Sequence, residues 1–569
     1  MPTRKSCVRQ CQGEARLFCL VAALLCWACK SPGNIPQTTS TLIRSEPAAF
    51  LTQSSFRIEP WFRAGLTNND RSPEFVQQLR GAGATNALVQ GFLGMLLVQG
   101  DGIAVDLAEG LRLLRGSAAK GCLPAMNELG YIYLEGHYGV PADRTEALKW
   151  FRSAAAHGWA NAQCNLGYCY ERGLGIEPDA VQAATWYERA AQQTNLVAIG
   201  SLGVFYMNGR GGLPRDYPLA ERFLKQAMDG GNIRAKLNLG CLYVDNGYRT
   251  NLFEHGIQLI REAAEAGDFR AQARQAGLYF YGKGVPKDLT NYVEWTRKAA
   301  EQGLAEAQFD LANALGAGRF VQLNLAEARQ WADKAARQGI PQACFLLGSM
   351  FANGEGGERS LFQANEWYRK AAERGHRDAQ FRLALACFQG QGMDTNNAEG
   401  LTWLRRSAER GWPLAEYLLA GHYAVGAVGL PKDDEESARW LRKAAEHGYI
   451  HAQFDLARDS LYGRGVPKNI SEAVRWFRRA AEQGHADGQN SIGYACDTGD
   501  AGYTNLVEAY MWYQLAGKQG EARSQVNLKR LQSRLTPEEI SAGDRRVREF
   551  RPRLNELPNP LPDTAENIH

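Results

Sequence analysis

The chain reads as an all-α solenoid of about twelve tandem helix-turn-helix repeats. Three observations predict this class. A unit of about 36 residues recurs through most of the sequence, each copy splits at a glycine-rich hinge into two apolar-striped segments, and two slots per copy are nearly fixed in side-chain size. The clearest copy runs from Ala452 to Gly484, and the copy from Ala271 repeats its skeleton through Tyr279, Gly282, Gly284-Val285-Pro286, Trp295 and Gly303. At 569 residues the chain exceeds what one hydrophobic core sustains, whereas stacked units that touch only their neighbours escape that limit.

Each element has its own justification. In the copy starting at Ala125, Ala125, Leu129, Gly130 and Tyr133 form one stripe of a first helix. Gly136 to Pro141 forms the hinge, since glycine permits positive φ and proline blocks helix propagation. Ala147, Trp150, Phe151, Ala154 and Ala155 form the apolar face of a second helix, closed by Gly158. A glycine closes nearly every copy; Thr194 is the exception. The slot after the first-helix leucine holds Gly94, Gly130, Gly167, Gly203, Gly240, Ala276, Ala312, Gly348, Ala384, Ala420, Ala457 and Gly493. Glycine inside a helix costs roughly 1 kcal/mol against alanine, so close approach by a neighbouring helix must offset it. The bulky slot of the second helix, mostly tryptophan from Trp150 to Trp512, is the expected complement. Gly348→Leu should therefore cost far more than a change such as Gln380→Leu, read here as a surface position.

The skeleton A-x-x-x-L-G-x-x-Y-x-x-G-x-G-V-x-x-D followed by A-x-x-W-x-x-x-A-A-x-x-G resembles the Sel1-like repeat, a branch of the tetratricopeptide-like superfamily. The resemblance implies a right-handed α-α superhelical solenoid whose first helices line a concave surface that binds a protein or peptide. The copy at Ala235 departs from the pattern, with Asn246-Gly247-Tyr248 in place of G-x-G and no tryptophan, and the copy at Ala307 lacks the G-V-P turn.

The flanks give the domain plan. Residues 1–29 have a basic start (Arg4, Lys5, Arg9, Arg16) and an apolar run from Leu17 to Cys29, the pattern of a secretory leader and too short for a membrane span. Cleavage after Ala28 would leave Cys29 first, as in bacterial lipoproteins, although Cys26 and Trp27 depart from the lipobox. These residues predict export, to the periplasm or to a lipid-anchored place in the cell envelope, with a cytoplasmic protein as the alternative. Residues 30–72 read as a linker, 73–520 as the solenoid, 521–550 as a helical cap begun at Thr536-Pro537-Glu538-Glu539, and 551–569 as a disordered tail.

Chemistry is sparse. A formal charge of +4 and no basic stripe interleaved with aromatics give no argument for nucleic acid. Cys122, Cys164, Cys169, Cys241, Cys344, Cys387 and Cys496 lie in scattered slots and read as small core residues. The disulfide-per-repeat, β-lactamase-like branch of the family needs two cysteines per copy, so the resemblance does not extend to it. Ser117-Ala118-Ala119-Lys120 matches S-x-x-K, but Ser117 occupies a packing slot and no partner motif accompanies it. His447, His451 and His485, with His376 in the slot of His485, read as solvated positions beside turns rather than metal ligands. The Gly463-Arg464-Gly465 type loops read as hinges, not phosphate loops. Arg405-Arg406, Arg442-Lys443 and Arg478-Arg479, with Glu409, Glu446 and Glu482, read as exposed i,i+4 pairs.

The expectation is a non-enzymatic interaction scaffold without cofactor or metal. A cell-wall hydrolase, the alternative, would need a nucleophile, base and oxyanion site to converge. The candidate partner-binding residues occupy the slot two before the small slot: Glu128, Asn165, Asn238, Arg274, Asp310, Arg382 and Asp455. That slot is free of the size restriction of its neighbours, which places it at the groove.

Overall fold

The computed structural model describes residues 72–83 and 85–553. The expectations for the leader, for the linker up to residue 71 and for the tail beyond 553 fall outside these residues. Among the described residues every regular element is helical. Helix Pro73–Ala82 precedes twelve first-and-second helix pairs, from Ala87–Gln99 with Leu107–Ala119 to Ala486–Thr498 with Leu506–Lys518, and helices Ala522–Gln532 and Pro537–Glu549 follow. The chain divides into two compact units, one running through Ala314 and the other from Gln322, with 315–321 split between them.

In both units the small slot does what its size demands, against a different partner from the one the sequence suggests. A Cβ on Gly130 would meet the Phe151 ring at 2.5 Å, and one on Gly167 the Tyr187 ring at 2.9 Å. In the second unit, a Cβ on Gly493 would meet the Tyr513 ring at 2.9 Å. The residue that fills the space is thus the one after the tryptophan. A helix step of about 100° explains the shift: Phe151, Tyr187 and Tyr513 point into the pair, while the preceding tryptophan is turned toward the next repeat. Trp150, Trp186, Trp295 and Trp367 are half-buried, whereas Trp331, Trp403, Trp440, Trp476 and Trp512 are buried.

The tryptophans belong to an outer ladder. Lys298, Lys334, Lys370 and Lys443 each place Nζ 3.8–3.9 Å from the ring of the tryptophan three residues before. In the second unit Trp331, Trp403, Trp476 and Trp512 donate Nε1–H to the glutamate four residues before, at 3.1–3.4 Å. The last three of those glutamates also receive an arginine from the preceding repeat: Arg369–Glu399, Arg442–Glu472 and Arg478–Glu508. This corrects the expectation of exposed i,i+4 pairs. Arg442 and Arg478 reach across to the next repeat, and Arg406 and Arg479 lie on Trp403 and Trp476.

The glutamine of each A-Q start caps the helix before it. Gln163, Gln272, Gln308, Gln380, Gln453 and Gln489 donate Nε2–H to the carbonyl eight residues earlier, in the last turn of the preceding second helix, at 3.0–3.3 Å. Each of those carbonyls also accepts the N–H of the closing glycine, at 2.9–3.1 Å, so the glutamine fills its second lone pair. Gln380 is therefore buried and bonded to Ala372, not the surface position the sequence suggests.

The copy that departs from the pattern still forms its pair, Ile233–Asp245 with Phe253–Glu265. In place of the glycine hinge, the Tyr243 and Tyr248 hydroxyls donate to the two oxygens of buried Glu221, both at 2.8 Å, and Lys225 adds a contact at 2.7 Å. Burial works to raise the Glu221 carboxyl, but these bonds outweigh it and hold it below its ordinary value.

Thr194 stands in the closing-glycine slot and adopts φ of 60°, a left-handed conformation that β-branched side chains resist. Its side chain is exposed and offers little packing in return. Thr194→Gly should raise stability by about 1 kcal/mol, read as a higher urea midpoint.

At the end of the second unit Thr536 and Glu539 form a capping box on Pro537–Glu549. That helix and Ala522–Gln532 pack on Leu506–Lys518, burying Leu531 and Val547, with Phe550 edge-on to Trp512 at 5.5 Å.

Candidate partner-binding surface

The side chains that bridge neighbouring repeats reveal which face turns inward. Polar side chains join successive first helices: Asn165 Nδ2 donates to Asn127 Oδ1 at 3.0 Å, and Tyr417 OH to Asp455 Oδ2 at 2.9 Å. Successive second helices are joined by long arginine–glutamate pairs, as at Arg442–Glu472. Successive first helices also pack directly on one another, Ala87–Gln99 on Leu123–Glu135 and Leu196–Asn208 on Ile233–Asp245. The first helices therefore lie closer together, on the inner side of each unit.

The candidate slot falls on these first helices, and its members differ in exposure. Glu128 and Asn165 are fully buried; Glu128 accepts from Gln99 at 3.2 Å. Asp310 is buried, and burial, then the neighbouring Glu306, push its carboxyl up to about 8. Arg274 pairs with Asp245, which Lys283 also contacts at 2.9 Å. Asp455, half-buried, accepts from Tyr417 and lies 3.4 Å from Arg458. Asn238 and Arg382 are half-buried and carry no side-chain hydrogen bond or ion pair among the described residues. The slot thus holds bridging groups between repeats together with two polar side chains whose donors are unspent.

The other constellations resolve into structure. Ser117 is fully buried and donates to the Ala87 carbonyl at 2.6 Å, while Lys120 reaches Gln90 at 3.0 Å, so S-x-x-K presents no accessible nucleophile. The seven cysteines from Cys122 to Cys496 are buried, and burial pushes the Cys169 thiol up to about 12 and the Cys496 thiol to about 11. His376 and His485 are not the solvated residues the sequence suggests. Each accepts a backbone N–H at Nδ1 as a helix N-cap, from Ala379 at 3.3 Å and Gly488 at 3.2 Å. Each also stacks on a phenylalanine, His376 on Phe345 and His485 on Phe454. His447 Nδ1 lies 2.8 Å from Glu416 Oε2. Among the described residues no group of three or more His, Cys, Asp or Glu side chains is arranged to hold a metal ion. No described helix is long and apolar enough to cross a membrane.

Helix pairs stacked on their neighbours, with a polar inner face, define an α-solenoid repeat protein. The chain belongs to the Sel1 repeat family, whose profile matches 87–122, 123–159, 160–195, 198–232, 270–304, 305–340, 341–376, 377–412, 413–449, 450–485 and 486–521. The unmatched stretch between 232 and 270 is the copy held by Glu221. Proteins of this family are generally protein-interaction scaffolds. Among solved structures, the chain is similar to c5321, a protective antigen of uropathogenic Escherichia coli with the same repeat fold. The two are 29% identical, with 84% of this chain and 94% of that chain covered and a TM-score of 0.52. A Sel1 repeat protein from Oxalobacter formigenes is 24% identical, over 81% of this chain and 98% of its own, with a TM-score of 0.39. A search of curated proteins returns no match.

Proposed function

We propose that the protein is a non-enzymatic scaffold that binds a protein or peptide on the inner face of the first helices of each of its two units. The observation that carries this reading is that Asn238 in the first unit and Arg382 in the second are each half-buried on a first helix with their donors unspent. Other members of the slot, such as Glu128 and Asn165, are occupied between repeats and support the face without being contacts. Arginine in a half-buried setting is a frequent anchor of protein interfaces. The test places a photo-crosslinker at residue 238, at residue 382 and, as an outer control, at Glu366. A defined polypeptide should crosslink from the two inner positions only. Arg382→Ala and Asn238→Ala should each weaken its capture by roughly tenfold while leaving the melting temperature unchanged. Equal crosslinking from Glu366, or undiminished capture by both variants, would overturn the reading.

A further inference from the structure

The outer ladder is broken in one copy of the first unit. In three later copies the arginine two residues after the tryptophan reaches the glutamate that accepts the next tryptophan's Nε1–H, as Arg442 reaches Glu472 and Arg478 reaches Glu508. Arg115, two residues after Leu113, holds the arginine's place, and Glu146, four residues before Trp150, holds the glutamate's. No bond joins these three among the described residues. Glu146 turns to Lys149 at 2.9 Å, and Trp150 keeps a buried Nε1–H without an acceptor. Arg115 donates instead to the Tyr133 hydroxyl.

Released from the ladder, Arg115 lines a groove of about 800 Å³ between its own helix, Leu107–Ala119, and the hinge of the next copy. Arg144, the first residue of helix Arg144–Ala156, lines the same groove, and Leu111, Val140 and Pro141 give it an apolar wall. Arg144 forms no side-chain hydrogen bond or ion pair among the described residues, and beyond its bond to Tyr133 neither does Arg115. The Tyr133 hydroxyl accepts from Arg115 and so keeps its own proton to donate. Asp143, the one acidic lining residue, spends Oδ1 on the N–H of Glu146 at 2.9 Å.

Small-ligand sites are concavities of this size, largely apolar, with a few polar groups that fix orientation. Guanidinium forks match a carboxylate bidentately. Two arginines against one aspartate leave an excess of one positive charge, which a single carboxylate neutralises, and the apolar wall suits an apolar group attached to it. We propose that this groove binds a carboxylate carried on a small apolar group, either the C-terminal residue of a peptide or a free organic acid. The groove is built mainly of hinge and second-helix residues and includes none of the slot that holds Asn238 and Arg382. It stands whether or not that slot contacts a polypeptide.

The test is calorimetric titration of the full chain with acetyl-leucine and with a glycine–serine hexapeptide ending in leucine, each as the free acid and as the amide. The acid should bind at least roughly tenfold more tightly than its amide, and Arg115→Gln and Arg144→Gln should each weaken the acid by roughly tenfold. Both side chains are exposed, so the melting temperature should not change. Arg112→Gln, on the same helix but paired with Glu109 outside the groove, should leave the affinity as it is. Binding of the hexapeptide acid alone assigns the groove to a chain terminus, and binding of both acids assigns it to any apolar carboxylate. Equal affinity for acid and amide, binding of neither acid, or as large a loss with Arg112→Gln as with Arg115→Gln would overturn the proposal. The comparison of acid with amide on the unsubstituted protein keeps the charge requirement readable should a variant fold poorly.

Discussion

Gly348→Leu should lower the stability of the second unit by about 3 kcal/mol, the upper part of the range for overpacking a helix contact. A Cβ at Gly348 would lie 2.7 Å from Cδ1 and 2.8 Å from Cε1 of Tyr368, and 3.1 Å from the Ala364 carbonyl oxygen, before any further leucine atom is placed. The ring is buried and has no free side to retreat to. Leucine gains about 0.8 kcal/mol in helix propensity over glycine, so the clash must exceed that gain for the net effect to be a loss. The matched control is Glu373→Leu on the exposed face, expected within about 0.5 kcal/mol of the parent. Gly348→Ala and Tyr368→Leu should couple: combined, they should cost at least about 1 kcal/mol less than the sum of the singles. The copies that pair Ala384 with Leu404 and Ala420 with Leu441 already carry that combination. Urea denaturation of the parent and the five variants decides it, and equal midpoints for Gly348→Leu and Glu373→Leu would contradict the close approach.

Lowering the pH from 7.5 to 4 should destabilise the parent relative to His376→Asn by about 3 kcal/mol. Burial holds His376 down to about 4 in the folded state, against an ordinary 6.5, and the adjacent Arg377 acts in the same direction. A depressed histidine contributes stability that is whole above 6.5 and is lost as the pH falls through the folded value. The cause is visible: protonation would put a hydrogen on Nδ1, which accepts the Ala379 N–H, and a charge in the stack on Phe345. Asp378, with Oδ2 3.9 Å from that nitrogen, has its own carboxyl raised by burial and contributes with the opposite sign, so only the difference between the two proteins isolates the histidine. Asparagine keeps the N-cap acceptor at every pH. Midpoints measured at pH 7.5, 5.5 and 4 should shift progressively in favour of His376→Asn as the pH falls. A constant difference would show that His376 does not titrate in this window.

The fold was legible because size restriction repeats. Twelve small slots in register can only mean a close contact, and the structure supplies it. The partner was not legible, since tryptophan is the more conspicuous residue and Phe151, Tyr187 and Tyr368 beside it vary. Comparison of the small slot with the residue after tryptophan carries a signal: where the small slot holds alanine, that residue is Thr296, Ala332, Leu404, Leu441 or Phe477. The glutamine of A-Q was in plain view, but its role depends on a carbonyl eight residues back across a turn, which no helical period indicates. The inner-face slot was legible as unrestricted, whereas its division into bridging and unspent members depends on neighbours about 30 to 38 residues away.

The tyrosine–glutamate staple at Glu221 has a consequence for descent. Between residues 232 and 270 the family profile finds no match, yet the helix pair is intact, held by two phenolic bonds and by the repeats on either side. A unit whose neighbours enforce its shape is under weak selection on its own letters. Mutations accumulate there that an isolated domain would not survive, and a duplicated copy inserted beside it inherits a ready template. Divergence in such a chain should begin in interior copies and reach the terminal ones last, because an end copy leans on one neighbour instead of two.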